Sequence, residues 1–388
     1  MKLSVIIVSY RVKYYLEQCL DSVFRAMQNI DGDVYVVENN SQDDTVDYLR
    51  KRFPQVHYIE NSDNVGFAKA NNIALRIITS EYVLLLNPDT FISEDTLTKC
   101  ISLLDANSNV GACGVRMLNQ NGTFAYESRR GIPTPKTAFF HMTGLSKLFP
   151  YHPIIGHYHM RYLDEYKMGE IEILSGAFMF IRRQLLDNIG LLDETFFMYG
   201  EDIDLSYRLL QTGCKNYYLP TKILHYKGES THKDTYRYVK IFYNAMYIFF
   251  RKHYGNQSWL LSVPIKMAIF LKGAGEFIRR KLLKLFIHPR TDSECLSRYK
   301  FALLVSDVNK KDVCALCENH SIHYIILDSP QEISKDGIQF IVFDVSLYSY
   351  HDILDCMDNL PSSRQRPNVA TYSPVTGAII AGSSIIRN

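Results

Sequence analysis

The sequence predicts an α/β protein built on a doubly wound, mostly parallel sheet, and three features predict it. Residues 3–8 form an unbroken apolar, β-branched run, as expected of a strand covered on both faces. Apolar residues then recur at helical spacing through Leu16, Cys19, Leu20, Val23, Phe24 and Met27. Short strand and helix patterns go on alternating as far as Leu86, which is the signature of parallel strands joined by helical crossovers.

The elements follow in order. Residues 34–37 read as the second strand and 41–50 as a helix with Ser41 at its N-cap. Residues 56–59 read as the third strand, 68–78 as a helix and 82–86 as the fourth strand. Ligands of such sheets sit beyond the carboxyl ends of the strands, so SYRV, ENNSQDD, NSDNVGFAKANN and NPDT are the loops of interest. Residues 116–170 are rich in Gly, Pro, His and Tyr with poor periodicity, and predict long loops around the site. Regular pattern returns with EILSGAFMFIRR, a helix near 184–189, and a helix over 201–210 stopped by Gly213. A helix over 234–254 completes the first unit, residues 1–254. Residues 255–290 are apolar and basic, with Lys272, Arg279, Arg280, Lys281 and Lys284 mostly on one helical side. That pattern predicts a helical segment that either lies on an anionic membrane surface or is an ordinary interdomain helix with a solvated face. In residues 291–388 the pattern restarts, with strands at 301–305, 324–327 and 340–343 and helices at 310–319 and 350–360, a small α/β unit with no ligand motif.

Composition bounds the function. The chain has 388 residues, 47% of them hydrophobic and 22% charged, enough for two or three cores. A formal net charge of +2 supplies no global field for nucleic acid. The eight cysteines have no framework spacing, and the first residues lack a signal-peptide pattern, so a reducing, cytoplasmic setting is expected. No run approaches the roughly 20 apolar residues that a membrane span needs. Cys314 and Cys317 form a C-x-x-C, but no second pair follows at finger spacing.

The chemistry-bearing residues each have a bland reading. Asp89 ends LLLNPDT at the ligand edge of a strand, where a carboxylate suits a hard cation; Asn-Pro-Asp is also ordinary turn grammar. Glu201 and Asp202 follow a glycine at a helix start, where the dipole favours negative charge whether or not they act as a base. His225 in ILHYKGES suits a metal, though a lone histidine is more often structural. Asn64, Gly66 and Asn72 surround a helix start open to phosphate.

Order and spacing change that balance. VSY at Ser9–Tyr10, VVENNSQDDT, NVGFAKANN, LLLNPDT, SGAFMFIRR, LDETFFMYGEDIDLSYR and HYKGEST follow one another as in the family 2 glycosyltransferases. The chain resembles that family from Lys2 to Tyr254, and within it the rhamnosyltransferase-like branch of bacterial polysaccharide synthesis. The resemblance implies a GT-A fold, a nucleoside-diphosphate sugar donor such as dTDP-rhamnose or a UDP-hexose, and a saccharide or lipid-linked saccharide acceptor. By motif position it implies Asp89 and His225 as ligands of Mn²⁺ or Mg²⁺, Asp202 as the base on the acceptor, and Glu201 as its neighbour and alternative. Ser9, Tyr10, Glu38, Asn39, Asn64, Lys69 and Asn87 fall in donor-binding positions. Two departures stand out: Asn87 replaces the first Asp of Asp-x-Asp, and Glu38 replaces the usual Asp.

The expected reaction is a single displacement that inverts the anomeric carbon, with no enzyme nucleophile. Two other readings compete. A sugar nucleotidyltransferase would want a glycine-rich basic loop after the first strand, and SYRVKYY has no glycine. A non-catalytic sugar-nucleotide or partner-binding protein would have lost Asp89, Asp202 or His225, and all three are present.

Overall fold

The computed structural model describes residues 1–227, 236–255, 298–333, 337–361 and 366–387. The basic segment 255–290, apart from Gly255, lies outside the described residues.

Strand β1 (Leu3–Ser9) is central to a nine-stranded sheet. It pairs in parallel with β2 (Gly32–Glu38) on one side and β4 (Tyr82–Leu86) on the other, and β3 (His57–Glu60) extends β2 in parallel. Next come β8 (Phe178–Arg182), antiparallel to both neighbours, then β6 (Val110–Leu118) and β9 (Lys215–His225), parallel to each other. Short strands β5 (Thr90–Ile92) and β7 (Gly169–Ile171) run antiparallel on β9. Strands β1, β2, β3, β4, β6 and β9 therefore share one direction, and the doubly wound, mostly parallel sheet expected from the sequence is present.

The alternation of β1 explains its unbroken apolar run. Leu3, Val5 and Ile7 enter one core, with Leu16, Cys19, Leu20 and Val23 of α1 (Lys13–Ala26) and Leu97, Cys100 and Leu104 of α4 (Thr96–Ala106). Ile6 and Val8 enter the other, with Ala68, Ala70, Ala74 and Leu75 of α3 (Phe67–Leu75) and Leu205 and Leu209 of α8 (Glu201–Gln211). A strand between two helical layers has no solvent face to mark with polar residues.

Two expectations need correction. Helix α2 spans Thr45–Arg52, and Ser41 does not cap it. Asn40 and Gln42 adopt left-handed backbone, while the Ser41 hydroxyl accepts the Arg11 N–H at 2.7 Å and bonds the Glu38 carboxylate. The loop stretch 116–170 holds more order than expected. It contains α5 (Pro135–Met142), whose Thr134 cap accepts the Thr137 N–H and whose first residue is proline, and the short α6 (Leu145–Leu148). Helix α7 (Arg183–Ile189) and helix α9 (Tyr236–Tyr254) lie close to their expected bounds.

The second sheet has the order β11-β10-β12-β13-β14-β15. Strands β10 (Lys300–Leu304), β11 (His323–Ile326), β12 (Phe340–Asp344) and β13 (Asn368–Ser373) are parallel; β14 (Ala378–Ala381) and β15 (Ser384–Ile386) close it antiparallel. Helix α10 (Lys310–Asn319) buries Val313, Leu316 and Cys317 on one face. Helix α11 (Tyr350–Asp358) covers the other, where Tyr350, Ile353, Leu354 and Met357 share a core with Val12, Tyr15, Phe91, Leu224 and Tyr226 of the first unit.

Candidate functional site

The carboxyl ends of β1, β2 and β4, together with the start of α8 and the end of β9, surround a cavity of about 350 Å³. Tyr10, Asn39, Asn64, Asn87, Asp89, Glu201, Asp202 and His225 all lie on its wall. Ser9, Glu38 and Lys69 do not. The Ser9 side chain is fully buried, Lys69 is exposed on α3, and the Glu38 carboxylate is occupied by the Ser41 N–H at 3.0 and 3.1 Å.

Pairing between distant strands builds one end. Strand β5 begins directly after Asp89 and pairs antiparallel with β9, so that Thr90 stands opposite His225. The Tyr226 N–H donates to the Asp89 carbonyl at 2.9 Å and fixes the two strand ends. As a result Asp89 Oδ1 lies 3.3 Å from His225 Nε2, and the Asn87 amide nitrogen lies 3.4 Å from the same ring atom. His225 Nδ1 is buried with no hydrogen-bond partner among the described residues. Among those residues no group of three or more His, Cys, Asp or Glu side chains converges on a metal position. The donors present are one carboxylate and one imidazole, with a neutral amide beside them. That set fits a hard divalent cation that completes its shell with water and phosphate oxygens. Two ligands at about 2.1 Å and a right angle stand about 3 Å apart, close to the Asp89–His225 separation.

The other end is a carboxylate held in place. Gly200 starts α8 with a left-handed backbone, which puts Glu201 and Asp202 in the first turn. Asp202 Oδ2 accepts from Arg130 Nη2 at 2.5 Å and from the Gly176 N–H at 3.1 Å, and Oδ1 accepts from the Ile203 N–H at 2.8 Å. Burial opposes the charge of Arg130, but the adjacent Asp202 carboxylate more than restores it. Glu201 is buried, its Oε2 without a hydrogen-bond partner among the described residues. Burial first, and then the Asp202 charge, push its carboxyl far above the usual carboxylate range.

Arg130, Tyr158 and Glu127 also line the cavity, and sequence reasoning missed all three. Glu127 pairs with Lys227 at 2.5 Å. Burial raises its pKa, but the Lys227 charge and hydrogen bond outweigh this and lower it. All three residues fall in the aperiodic stretch 116–170; the adjacent Arg129–Arg130 was the readable signal, as a strongly charged pair inside an otherwise aromatic loop.

A polar clasp shapes the wall between. Asn39 Nδ2 donates to Asn64 Oδ1 at 2.9 Å, and Asn39 Oδ1 accepts the Val65 N–H at 3.1 Å. Gly66 is at φ +85°, and a Cβ there would stand 2.5 Å from the Phe197 carbonyl, so only glycine lets these loops meet. Asn72 does not face the site; it is buried and ties α3 to the Leu192 backbone.

Comparison with known proteins finds related chains. The model of the family described as glycosyl transferase family 2 matches residues 4–190. The chain is 27% identical over 305 residues to the N-acetylglucosaminyl-diphospho-decaprenol L-rhamnosyltransferase of Mycobacterium tuberculosis, covering 73% of this chain and 97% of that one. It is 24% identical over 234 residues to the rhamnosyltransferase WbbL of Escherichia coli, covering 57% and 82%. Among solved structures, TarS of S. aureus superposes with a TM-score of 0.43 at 21% identity, covering 64% of each chain. A mannosyltransferase of Pyrobaculum calidifontis, solved with GDP-Man and Mn²⁺, gives 0.45 at 16% identity, covering 82% and 81%. Residues 4–190 of this chain carry a glycosyl transferase family 2 domain.

Proposed function

We propose that the chain is a metal-dependent, inverting glycosyltransferase. It moves a sugar, rhamnose or a hexose, from a dTDP or UDP donor to a saccharide or lipid-linked saccharide in cell-surface polysaccharide synthesis. The observation that carries this reading is that Asp89, His225 and the Arg130-held Asp202 line one cavity at the carboxyl edge of the sheet. Its similarity to a rhamnosyltransferase over most of both chains supports the donor and acceptor classes.

In this reading Asp89 and His225 hold Mn²⁺ or Mg²⁺, with Asn87 as a neutral neighbour. A cation held there supplies charge neutralisation for the departing nucleoside diphosphate. Tyr10, Asn39 and Asn64 receive the nucleoside side of the donor. Arg130 and the Gly176 N–H orient Asp202, which takes the proton of the acceptor hydroxyl. The hydroxyl oxygen attacks the anomeric carbon opposite the leaving group, and configuration inverts. Glu201 is the alternative base, because its carboxyl has an oxygen without a partner among the described residues and a pKa raised toward working pH.

The test is nucleotide release from a panel of donors with Mn²⁺ and a soluble acceptor. Release by wild type and its loss in Asp202→Asn and Asp89→Ala are expected, with the product anomer inverted by NMR. Equal release by all three proteins sinks the assignment.

A further inference from the structure

The chain exposes large apolar side chains where its charge is one-sided. Phe139, Leu148, Phe149, Tyr151 and Ile154 are 54%, 72%, 52%, 66% and 52% exposed, and all belong to α5, α6 and the turn after them. From 128 to 163 the sequence has no aspartate or glutamate, while it carries Arg129, Arg130, Lys136, Lys147 and Arg161. Lys136 and Lys147 are exposed alongside the apolar residues. Isolated exposed apolar residues need no explanation, but a set gathered on two adjacent short helices, in a stretch of chain without acidic residues, does.

The cluster adjoins the cavity. His141 of α5 stacks on Tyr158 with ring centroids 4.0 Å apart, and Tyr158 lines the cavity beside Arg130 and Asp202. Whatever covers α5 and α6 is thereby brought to the side of the site where the acceptor would be deprotonated.

We infer that residues 135–154 are a membrane-docking face whose partner is an anionic lipid surface. Charge complementarity selects that occupant: exposed lysines with no acidic residue among them favour anionic headgroups, while Phe139, Leu148 and Phe149 enter the interface. This deepens the lipid-linked branch of the proposed function, since a surface so placed presents membrane-borne acceptors to Asp202. It is distinct from segment 255–290.

Co-sedimentation of the full chain with vesicles tests it. Wild type is expected to bind phosphatidylcholine vesicles containing phosphatidylglycerol, and to bind pure phosphatidylcholine far less. Affinity should fall about fivefold for each of Lys136→Gln and Lys147→Gln. It should fall on the order of a hundredfold in the triple variant Phe139→Ser, Leu148→Ser, Phe149→Ser. Nucleotide release with a soluble acceptor should be unchanged in all of them, and this readout reports on the transferase reading independently of the vesicles. The inference is overturned if wild type ignores anionic vesicles or if the triple and lysine variants bind as wild type does. It also fails if the triple substitution dissolves a wild-type dimer without touching vesicle binding.

Discussion

At the scale of single residues, Asp202 and Glu201 are chain neighbours in different electrostatic situations. Three donors surround the Asp202 carboxylate, whereas Glu201 has a buried oxygen with no partner among the described residues. Asp202→Asn should therefore cut kcat by about 10²–10⁴-fold with donor affinity kept, as seen by steady-state kinetics. Glu201→Gln keeps a neutral side chain of the same shape, so kcat should stay within about threefold. A loss as large as that of Asp202→Asn would move the base to Glu201. The same substitution carries a stability prediction. A carboxyl whose folded-state pKa is raised favours the fold while protonated, and that contribution is lost as pH rises above the ordinary carboxylate range. Wild type should lose Tm between pH 5 and pH 8 relative to Glu201→Gln in parallel thermal melts. At the proposed metal site, Asn87→Asp adds a charged oxygen beside His225 and should lower the Mn²⁺ concentration for half-maximal activity.

Among elements, α8 carries the acidic pair and is held from behind by Asp204. That residue is fully buried, accepts Arg208 Nε at 2.8 Å, and meets Lys252 and His253 of α9 at 2.8 and 2.7 Å. Burial pushes its pKa up, but the His253 and Lys252 hydrogen bonds and the Arg208 charge outweigh this and lower it to about 2. A depressed carboxylate pKa stabilises the fold above the unfolded value of 3.8, and the contribution fades as pH falls toward 2. Asp204→Asn should cost about 2–4 kcal/mol in urea unfolding at pH 7, with the difference shrinking below pH 4. The link from Asp204 to α9 was invisible in the sequence because helix periodicity says nothing about which helix lies opposite.

For the whole molecule, the C-terminal unit shares a hydrophobic core with the first unit, although the two sheets are separate. Tyr226 sits between them: it follows His225, donates its N–H to Asp89, and its hydroxyl bonds Gln18 at 3.0 Å. Gln18 Nε2 in turn reaches Thr371 of β13 at 2.7 Å. Phe91 packs on both Tyr226 and Tyr350, and Lys222 of β9 pairs with Asp355 and Asp358 of α11. A chain ending at residue 297 would expose Phe91, Leu224 and Tyr226 and release the strand ends that bear Asp89 and His225. Such a truncation should be aggregated or, where soluble, need far more Mn²⁺ for activity, measured by size exclusion and metal titration. Among the described residues no helix is long and apolar enough to cross a membrane.

The sequence by itself determined the alternation of strands and helices and the motif series that placed Asp89 in a strand-end turn, Asp202 at a helix start and His225 after a short apolar run. Those signals are local: period, caps and turn residues are written within a few neighbours. It was poorer where local signal fails. Strand β5 has three residues, too few to show a period, and the start of α5 lay in a Pro- and Thr-rich run that reads as loop. Tertiary structure alone decided which loops meet. Asn87 and His225, separated by 138 positions, meet because β5 pairs with β9, and Arg130 meets Asp202 across 72 positions because the loop after β6 folds over α8. It also spent Glu38 on Ser41 and buried Asn72 against Leu192. Contacts between distant segments arise from packing and strand pairing, and those depend on the whole chain rather than on any window of it.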